Sequence, residues 1–391
     1  KANQVGLIDL HEKLYRRPDL FPDALHPTKE GATIIAKTVY ENITQDFGGL
    51  KLAAVFTDNM VLQRNQPITI YGTANGGDVV EVSFKSQKKS ATTNQYGKWE
   101  VVFPAQTHGG HYEVTIKSYQ KNIVLKNILI GDVWFCSGQS NMAFQLQQSE
   151  NGNEEIKKAL PNTAIRLFNF KDLRETDNTV WDSITLAKTN QLEFFSGSWS
   201  VCDSISAKDF SAIAYYFGKN IAHAENIPVG LIQVAVGGSP IESWIDRYTL
   251  EHDDKVVDVL TNWRRSDFIM PWVRERANMN LKNATNAKQR HPYDPSYNFE
   301  AGVTAFTKFP IKGVIWYQGE SNAHNVELYE HLMPTLVESW RQAWGTNLPF
   351  YYVQLSSIER PTYPAFRDVQ NRLQNKIPNS GMAISMDYGD A

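Results

Sequence analysis

The chain has 391 residues, 42% of them hydrophobic and 21% charged, with a formal net charge of -3. A packed globular protein of two or three domains follows, since one domain usually takes about 100–200 residues, and disorder is excluded. The balanced charge, without a long basic or acidic run, argues against binding nucleic acid or an anionic membrane surface.

No stretch approaches the ~20 apolar residues of a membrane helix. The chain starts at Lys1 with neither an initiator Met nor a signal peptide, which reads as a processed N-terminus. Residues 1–49 predict a short strand at Val5–Leu10, a proline-broken loop, and a helix after Lys29–Glu30 with Ile34, Ile35, Val39 and Ile43 at helical spacing. Alone, that is too little to bury a core. Over residues 50–130 the hydrophobic period changes to two. Strands are expected at Ile68–Tyr71, Val79–Phe84, Trp99–Phe103 and Tyr112–Ile116, separated by Gly, Asn and Asp turns, as in a small all-β sandwich domain. Over residues 131–391 short apolar strands alternate with helical or looped stretches. The strands fall at Val133–Cys136, Ile165–Asn169, Val229–Val236, Gly313–Tyr317, Phe350–Gln354 and Met382–Ser385, the helices near Ser211–Ala224 and Leu328–Trp344. This alternation predicts an α/β fold with a doubly wound parallel sheet, in which ligands bind beyond the carboxyl ends of the strands.

Three of those strand ends carry small and polar residues. The first runs into Gly138-Gln139-Ser140-Asn141-Met142, which places a serine hydroxyl at the mouth of the sheet. Serine attacks an acyl carbon only when a base takes its proton and donors receive the charge developing on the carbonyl oxygen. The second ends in Gly237-Gly238-Ser239-Pro240 and the third in Gln318-Gly319-Glu320-Ser321-Asn322. Glycine admits close approach of a backbone N–H, and Gln or Asn adds a side-chain donor, so these turns could build an oxyanion hole. Singly, each is an ordinary strand-to-loop turn; together at one sheet edge they predict a site. Met142 stands where the Gly-x-Ser-x-Gly elbow has its last glycine. Metal and nucleotide cofactors are not expected: there is no His-Glu-x-x-His, no Cys pair, no P-loop and no dinucleotide glycine pattern. Cys136 and Cys202 exclude a disulfide framework and are expected to be buried thiols. The ten Trp suit either core packing or stacking on sugar faces.

The run Gly131-Asp132-Val133-Trp134-Phe135-Cys136-Ser137-Gly138-Gln139-Ser140-Asn141-Met142, with Ile315-Trp316-Tyr317-Gln318-Gly319-Glu320-Ser321-Asn322, resembles the sialate O-acetylesterase family of SGNH hydrolases. Upstream, Asp58-Asn59-Met60-Val61-Leu62-Gln63-Arg64 and Gly97-Lys98-Trp99 resemble that family's β-sandwich; downstream, Gly237-Gly238 and Ser380-Gly381-Met382-Ala383 continue the likeness. The resemblance implies a three-layer SGNH-type (flavodoxin-like) sheet, preceded by the sandwich. It further implies a secreted or periplasmic carbohydrate esterase that removes O-acetyl groups from sialic acid or a related sugar or glycan, without a cofactor. Ser140 would be the nucleophile, and its own N–H and that of Gly238 the oxyanion donors. Gln318 or Asn322 would be the side-chain donor, with Gln139 beside them and Glu320 holding a loop or a substrate hydroxyl.

In that family the base and its orienting acid come from an Asp-x-x-His segment near the C-terminus, and this chain stops at Asp390-Ala391. The resemblance therefore places the base beyond Ala391 and leaves this chain short of a full triad. An Asp-x-x-His does occur at the other end, as Asp23-Ala24-Leu25-His26. Two readings follow. Residues 1–49 are the tail of a separate upstream SGNH domain, or they dock so that His26 and Asp23 serve Ser140, which is acceptable because a triad is defined by geometry and not by chain order. His324 is a candidate substrate contact. His331 has no acidic partner at a useful spacing. Against the esterase stand an inert sugar-binding protein and an interaction module of a longer enzyme, neither of which requires the three turns together.

Overall fold

The computed structural model describes residues 7–119, 121–159 and 164–386. Six parallel strands form the scaffold of the site, in the order Ile165–Asn169, Val229–Ala235, Lys121–Gly138, Gly313–Tyr317, Phe350–Val353 and Ser380–Ala383, and Trp199–Val201 adds an antiparallel edge. Val229–Ala235 and Gly313–Tyr317 are buried at every position, the unbroken apolar run of a parallel sheet covered on both faces. Successive side chains leave a strand on opposite faces. Trp134 accordingly meets Phe217 of the helix Ala212–Glu225 at 5.0 Å, while Phe135 meets Trp340 of the helix Val326–Trp344 at 5.4 Å.

The register positions the site. Gly138, at the end of the central strand, pairs with Ala235 on one side and Tyr317 on the other, so the three glycine-bearing turns start at one level. From the central strand the chain first builds outward on the Val229 side and then crosses to the Gly313 side. That reversal opens a crevice at the carboxyl edge. Gly138 has φ 144°, and a Cβ there would overlap the Tyr317 carbonyl, so only glycine lets the adjacent strand pass this close.

The 18-residue strand Lys121–Gly138 runs unbroken across residues 130 and 131. Its first half pairs with Gly109–Ser118 and Val61–Gln63, its second half with the parallel strands. A polar clasp marks the change: Arg64 grips Asp132 through two bonds of 2.8 and 2.9 Å, and Gln63 accepts from the Val133 N–H at 2.8 Å. Upstream, Lys51–Leu52, Ile68–Thr73 and Lys98–Phe103 form a separate antiparallel sheet.

The expected helix in the first fifty residues spans Lys29–Thr44, capped by Thr28, whose hydroxyl accepts from the Gly31 N–H at 3.1 Å. Of the expected strand Val5–Leu10, residues 5 and 6 lie outside the described residues, and 7–10 form no strand. The Asp9 carboxylate instead accepts from the His11 N–H at 2.8 Å and starts the helical turn His11–Leu14. This segment docks on the larger fold. Arg290 donates to the Arg16 carbonyl at 2.6 Å, Asn286 donates to the Asp19 carbonyl at 2.8 Å, and Tyr15 donates to Glu251 at 2.9 Å. Arg290 is itself buried and paired with Glu300 at 2.8 Å. Cys136 and Cys202 are buried free thiols, and burial pushes the Cys136 thiol well above its ordinary range.

Candidate active site

An open cleft of about 920 Å³ lies where the three strand ends meet. Its lining includes Gln139, Ser140, Asn141, Gly237, Gly238 and Glu320 from the three turns, with Thr176, Trp272, Arg276 and Arg360 from the surrounding loops. Ser140 is exposed at the start of the short helix Ser140–Ala143. Gln139 before it is buried, its N–H bonded to the Tyr317 carbonyl at 3.0 Å and its side-chain oxygen accepting from the Gly319 N–H at 3.2 Å. The first turn is thereby tied to the third through Gln139, which holds the serine without facing solvent itself.

Several backbone donors of these turns remain open. Among the described residues the N–H groups of Ser140, Asn141, Gly237 and Gly238 have no acceptor, whereas those of Met142 and Ser239 donate to the Gln139 and Val236 carbonyls. Gly238 adopts φ 73°, and a Cβ there would overlap the Tyr293 hydroxyl and lie 3.0 Å from Trp272. Trp272 is the tryptophan that lines the cleft, with the Arg276 guanidinium 4.8 Å from its ring centre. Trp181, Trp244, Trp316 and Trp340 are fully buried in the core.

Gln318 and Asn322, expected as side-chain donors, sit behind the cleft wall and not on it. Gln318 donates to the Ser239 carbonyl at 3.2 Å and to Asn322 Oδ1 at 2.7 Å, which uses both amide hydrogens. The Asn322 oxygen also accepts from the Ile241 N–H, and its nitrogen donates to Glu242 Oε2, each at 2.9 Å. These amides lock the second turn to the third. Sequence reasoning missed Glu242, since nothing at position 242 marks a buried acid.

Burial pushes the Glu242 carboxyl up to about 7 from its ordinary 4.5, with the Asn322 amide opposing. A carboxyl whose pKa rises on folding binds its proton more tightly when folded. Stability is then greatest below the unfolded value, falls as pH rises from about 4.5 to about 7, and levels off above that. Glu242→Gln is expected to flatten this fall, on the order of 2–3 kcal/mol between about pH 5 and pH 8. Denaturant titrations at the two pH values check it; a slope equal to that of the unaltered protein refutes the assignment.

Glu320 lines the cleft beside the serine turn. Its Oε1 accepts from Asn141 Nδ2 at 2.7 Å, its Oε2 has no partner, and burial raises its pKa. Asp172, also on the lining, is pushed up to about 6 by burial, with nearby Glu175 adding to the shift.

Asp23 and His26 form the pair their spacing suggests, with His26 Nδ1 2.8 Å from Asp23 Oδ2. Backbone N–H bonds, that of His26 first and then its ring contact, hold the Asp23 carboxyl down at about 2. Both side chains are nonetheless exposed, 76% for His26 and 54% for Asp23, and neither lines the cleft. The segment docks, but on the Asn286–Arg290 side. Among the described residues no histidine lines the cleft. His324 lies against the Asp267 carbonyl at 3.2 Å, and His331 pairs with Asp253, a partner 78 residues away that sequence spacing does not show.

A family model described as carbohydrate esterase, sialic acid-specific acetylesterase, matches residues 130–259 and 284–390. A sialate O-acetylesterase of Rattus norvegicus is 28% identical over 386 residues, covering 88% of this chain and 68% of the relative. The sialate O-acetylesterase of Homo sapiens is 26% identical over 375 residues, covering 88% and 66%. Among solved structures, a carbohydrate acetylesterase from Xanthomonas citri superposes with a TM-score of 0.68 at 25% identity, over 87% of this chain and 69% of that one.

Proposed function

The chain belongs to the carbohydrate esterase family of sialic acid-specific acetylesterases, and we propose that it removes O-acetyl groups from sialic acid or a related sugar through an acyl-serine intermediate on Ser140. The observation that carries this reading is the exposed Ser140 hydroxyl in a cleft where two backbone N–H groups, of Ser140 and Gly238, stand without acceptors. Attack of the hydroxyl on the acetyl carbonyl places negative charge on its oxygen, and those N–H groups receive it. The C–O bond to the sugar then breaks, and the proton given up by the serine hydroxyl passes to the sugar oxygen, which leaves as a hydroxyl. In the second half-reaction water adds to the acyl-serine, acetate leaves, and a proton of that water restores the serine hydroxyl. Gln318 and Asn322 act through the backbone by fixing the second and third turns. Glu320 holds Asn141, and with it the serine turn.

The family model skips residues 260–283, the stretch that brings Trp272 and Arg276 into the cleft. The choice between acetylated sugars is placed there. Residues 131–391 are taken as a three-layer SGNH-type domain, with helices on both faces of the sheet. Residues 50–130 are taken as a β-sandwich, supported by Phe84 and Phe103 of its two sheets meeting at 5.7 Å. An extracellular or periplasmic location suits a glycan substrate; no helix among the described residues is long and apolar enough to cross a membrane.

Acetate release from an O-acetylated sugar, with a butyryl ester as comparison, tests the reaction. Release should be clear and the butyryl ester poor; failure to release acetate from any acetyl ester overturns it. Residues 1–49 are taken as the tail fragment of another SGNH domain. Because His26 and Asp23 lie off the cleft, His26→Ala and Asp23→Ala are expected to leave the rate within about twofold at every pH, since substitutions remote from a site seldom move it. An acid limb of the pH–rate profile that vanishes in His26→Ala would show that the pair serves Ser140 after all.

A further inference from the structure

The Gly238 N–H belongs to the peptide unit whose carbonyl is that of Gly237. In a trans peptide the two groups point in opposite directions, so whatever holds the carbonyl aims the N–H. The Gly237 oxygen is held twice. Thr176 Oγ1 donates to it at 2.6 Å and the Tyr293 hydroxyl donates to it at 2.8 Å. Ser321 Oγ donates to the next carbonyl, that of Gly238, at 2.9 Å. Neither Thr176 nor Tyr293 lies on the three catalytic turns, and both are buried.

Their own positions are braced by a common support. The Tyr293 N–H donates to His291 Nδ1 at 3.0 Å, and His291 stacks on Trp181 at 4.9 Å between ring centres. On its other side His291 Nε2 lies 3.1 Å from Asn280 Oδ1. The Asn280 amide in turn donates to the Asp177 and Thr179 carbonyls, both at 2.7 Å, beside Thr176. One buried amide therefore ties the loop carrying Thr176 to the segment carrying Tyr293.

We propose that Thr176 and Tyr293 are positioning residues of the esterase: their hydroxyls pull the Gly237 carbonyl away from the cleft and so aim the Gly238 N–H at the developing oxyanion. Hydrogen bonds to a carbonyl also polarise the amide and strengthen its N–H as a donor. The inference rests on the reading of Gly238 as an oxyanion donor and Ser140 as the nucleophile. It assigns work to two residues off the three turns, of which Thr176 lies on the cleft lining.

The test is steady-state kinetics on an activated acetyl ester with Thr176→Val, Thr176→Ser and Tyr293→Phe, beside Ser140→Ala. Thr176→Val and Tyr293→Phe keep the shape and lose the hydroxyl. Each should lower kcat about tenfold with KM within about twofold, because the lost interaction acts only in the transition state. Thr176→Ser, which restores the hydroxyl, should recover most of kcat, a rescue that a merely structural role would not produce. If Ser140→Ala is inactive while Thr176→Val and Tyr293→Phe keep the wild-type kcat, the clamp is wrong and the acyl-serine reading stands. Equal losses in Thr176→Val and Thr176→Ser also overturn the clamp, since the hydroxyl is then not the cause. Retained activity in Ser140→Ala instead removes the reading beneath it.

Discussion

Ser140→Ala is expected to lower the hydrolysis of an activated acetyl ester by about 10⁴–10⁶-fold wherever a base is in place beside the serine, while leaving the fold intact. The loss is this large because the hydroxyl is the group that forms the covalent bond; without it only binding and the oxyanion donors remain to act on water. The fold should be indifferent. Ser140 is exposed and, among the described residues, its side chain has no hydrogen-bond partner; the turn is held by Gln139 through the Tyr317 carbonyl and the Gly319 N–H. Exposed substitutions of this kind usually change stability by less than about 0.5 kcal/mol. Initial rates and a denaturant midpoint measured on the same preparation decide it. An unchanged midpoint with most of the rate retained removes Ser140 as nucleophile.

Gly238→Ala carries the second-largest expected effect. At φ 73° an L side chain is strained, and the added Cβ would run into the Tyr293 hydroxyl with Trp272 only 3.0 Å away. The turn must shift, at a cost of about 1–3 kcal/mol for the backbone strain. The shift moves the N–H off the line on which the oxyanion forms. Losing one such donor costs about 10²–10³ in kcat, and the same is expected here, with KM for a small acetyl ester little changed. A variant that keeps wild-type kcat would show that the Gly238 N–H does not receive the charge.

Much of this was legible in the linear chain. Strand positions in the parallel sheet follow from short apolar runs, and Ile165–Asn169 and Gly313–Tyr317 have the predicted bounds, as does the antiparallel strand Val79–Phe84, read from its period of two. The turns that carry Ser140 and Gly238 to the cleft were legible because each follows a strand and combines small with polar residues. Gln318 and Asn322 were misplaced for a physical reason. An amide in a strand-end turn can face the cleft or brace the turn from behind, and sequence carries no sign of which; here all the hydrogens of Gln318 are used inside. His26 presents the converse case. Its local pairing with Asp23 was readable from a three-residue spacing, but which surface the segment docks on depends on Arg290 and Asn286, more than 250 residues away.

What the sequence determined by itself is what short-range chemistry determines: the alternation of strand and helix, the glycines that admit close backbone approach, and a serine set on a turn. What only the tertiary structure decided is the level at which Gly138, Ala235 and Tyr317 meet, and with it the joining of three turns into one cleft. The structure alone also revealed Thr176, Tyr293 and Glu242, which lie far apart in the chain and acquire their roles from which carbonyl or amide they happen to reach. Hydrogen bonds between distant segments depend on register and packing across the whole sheet, and no local pattern of residues encodes them.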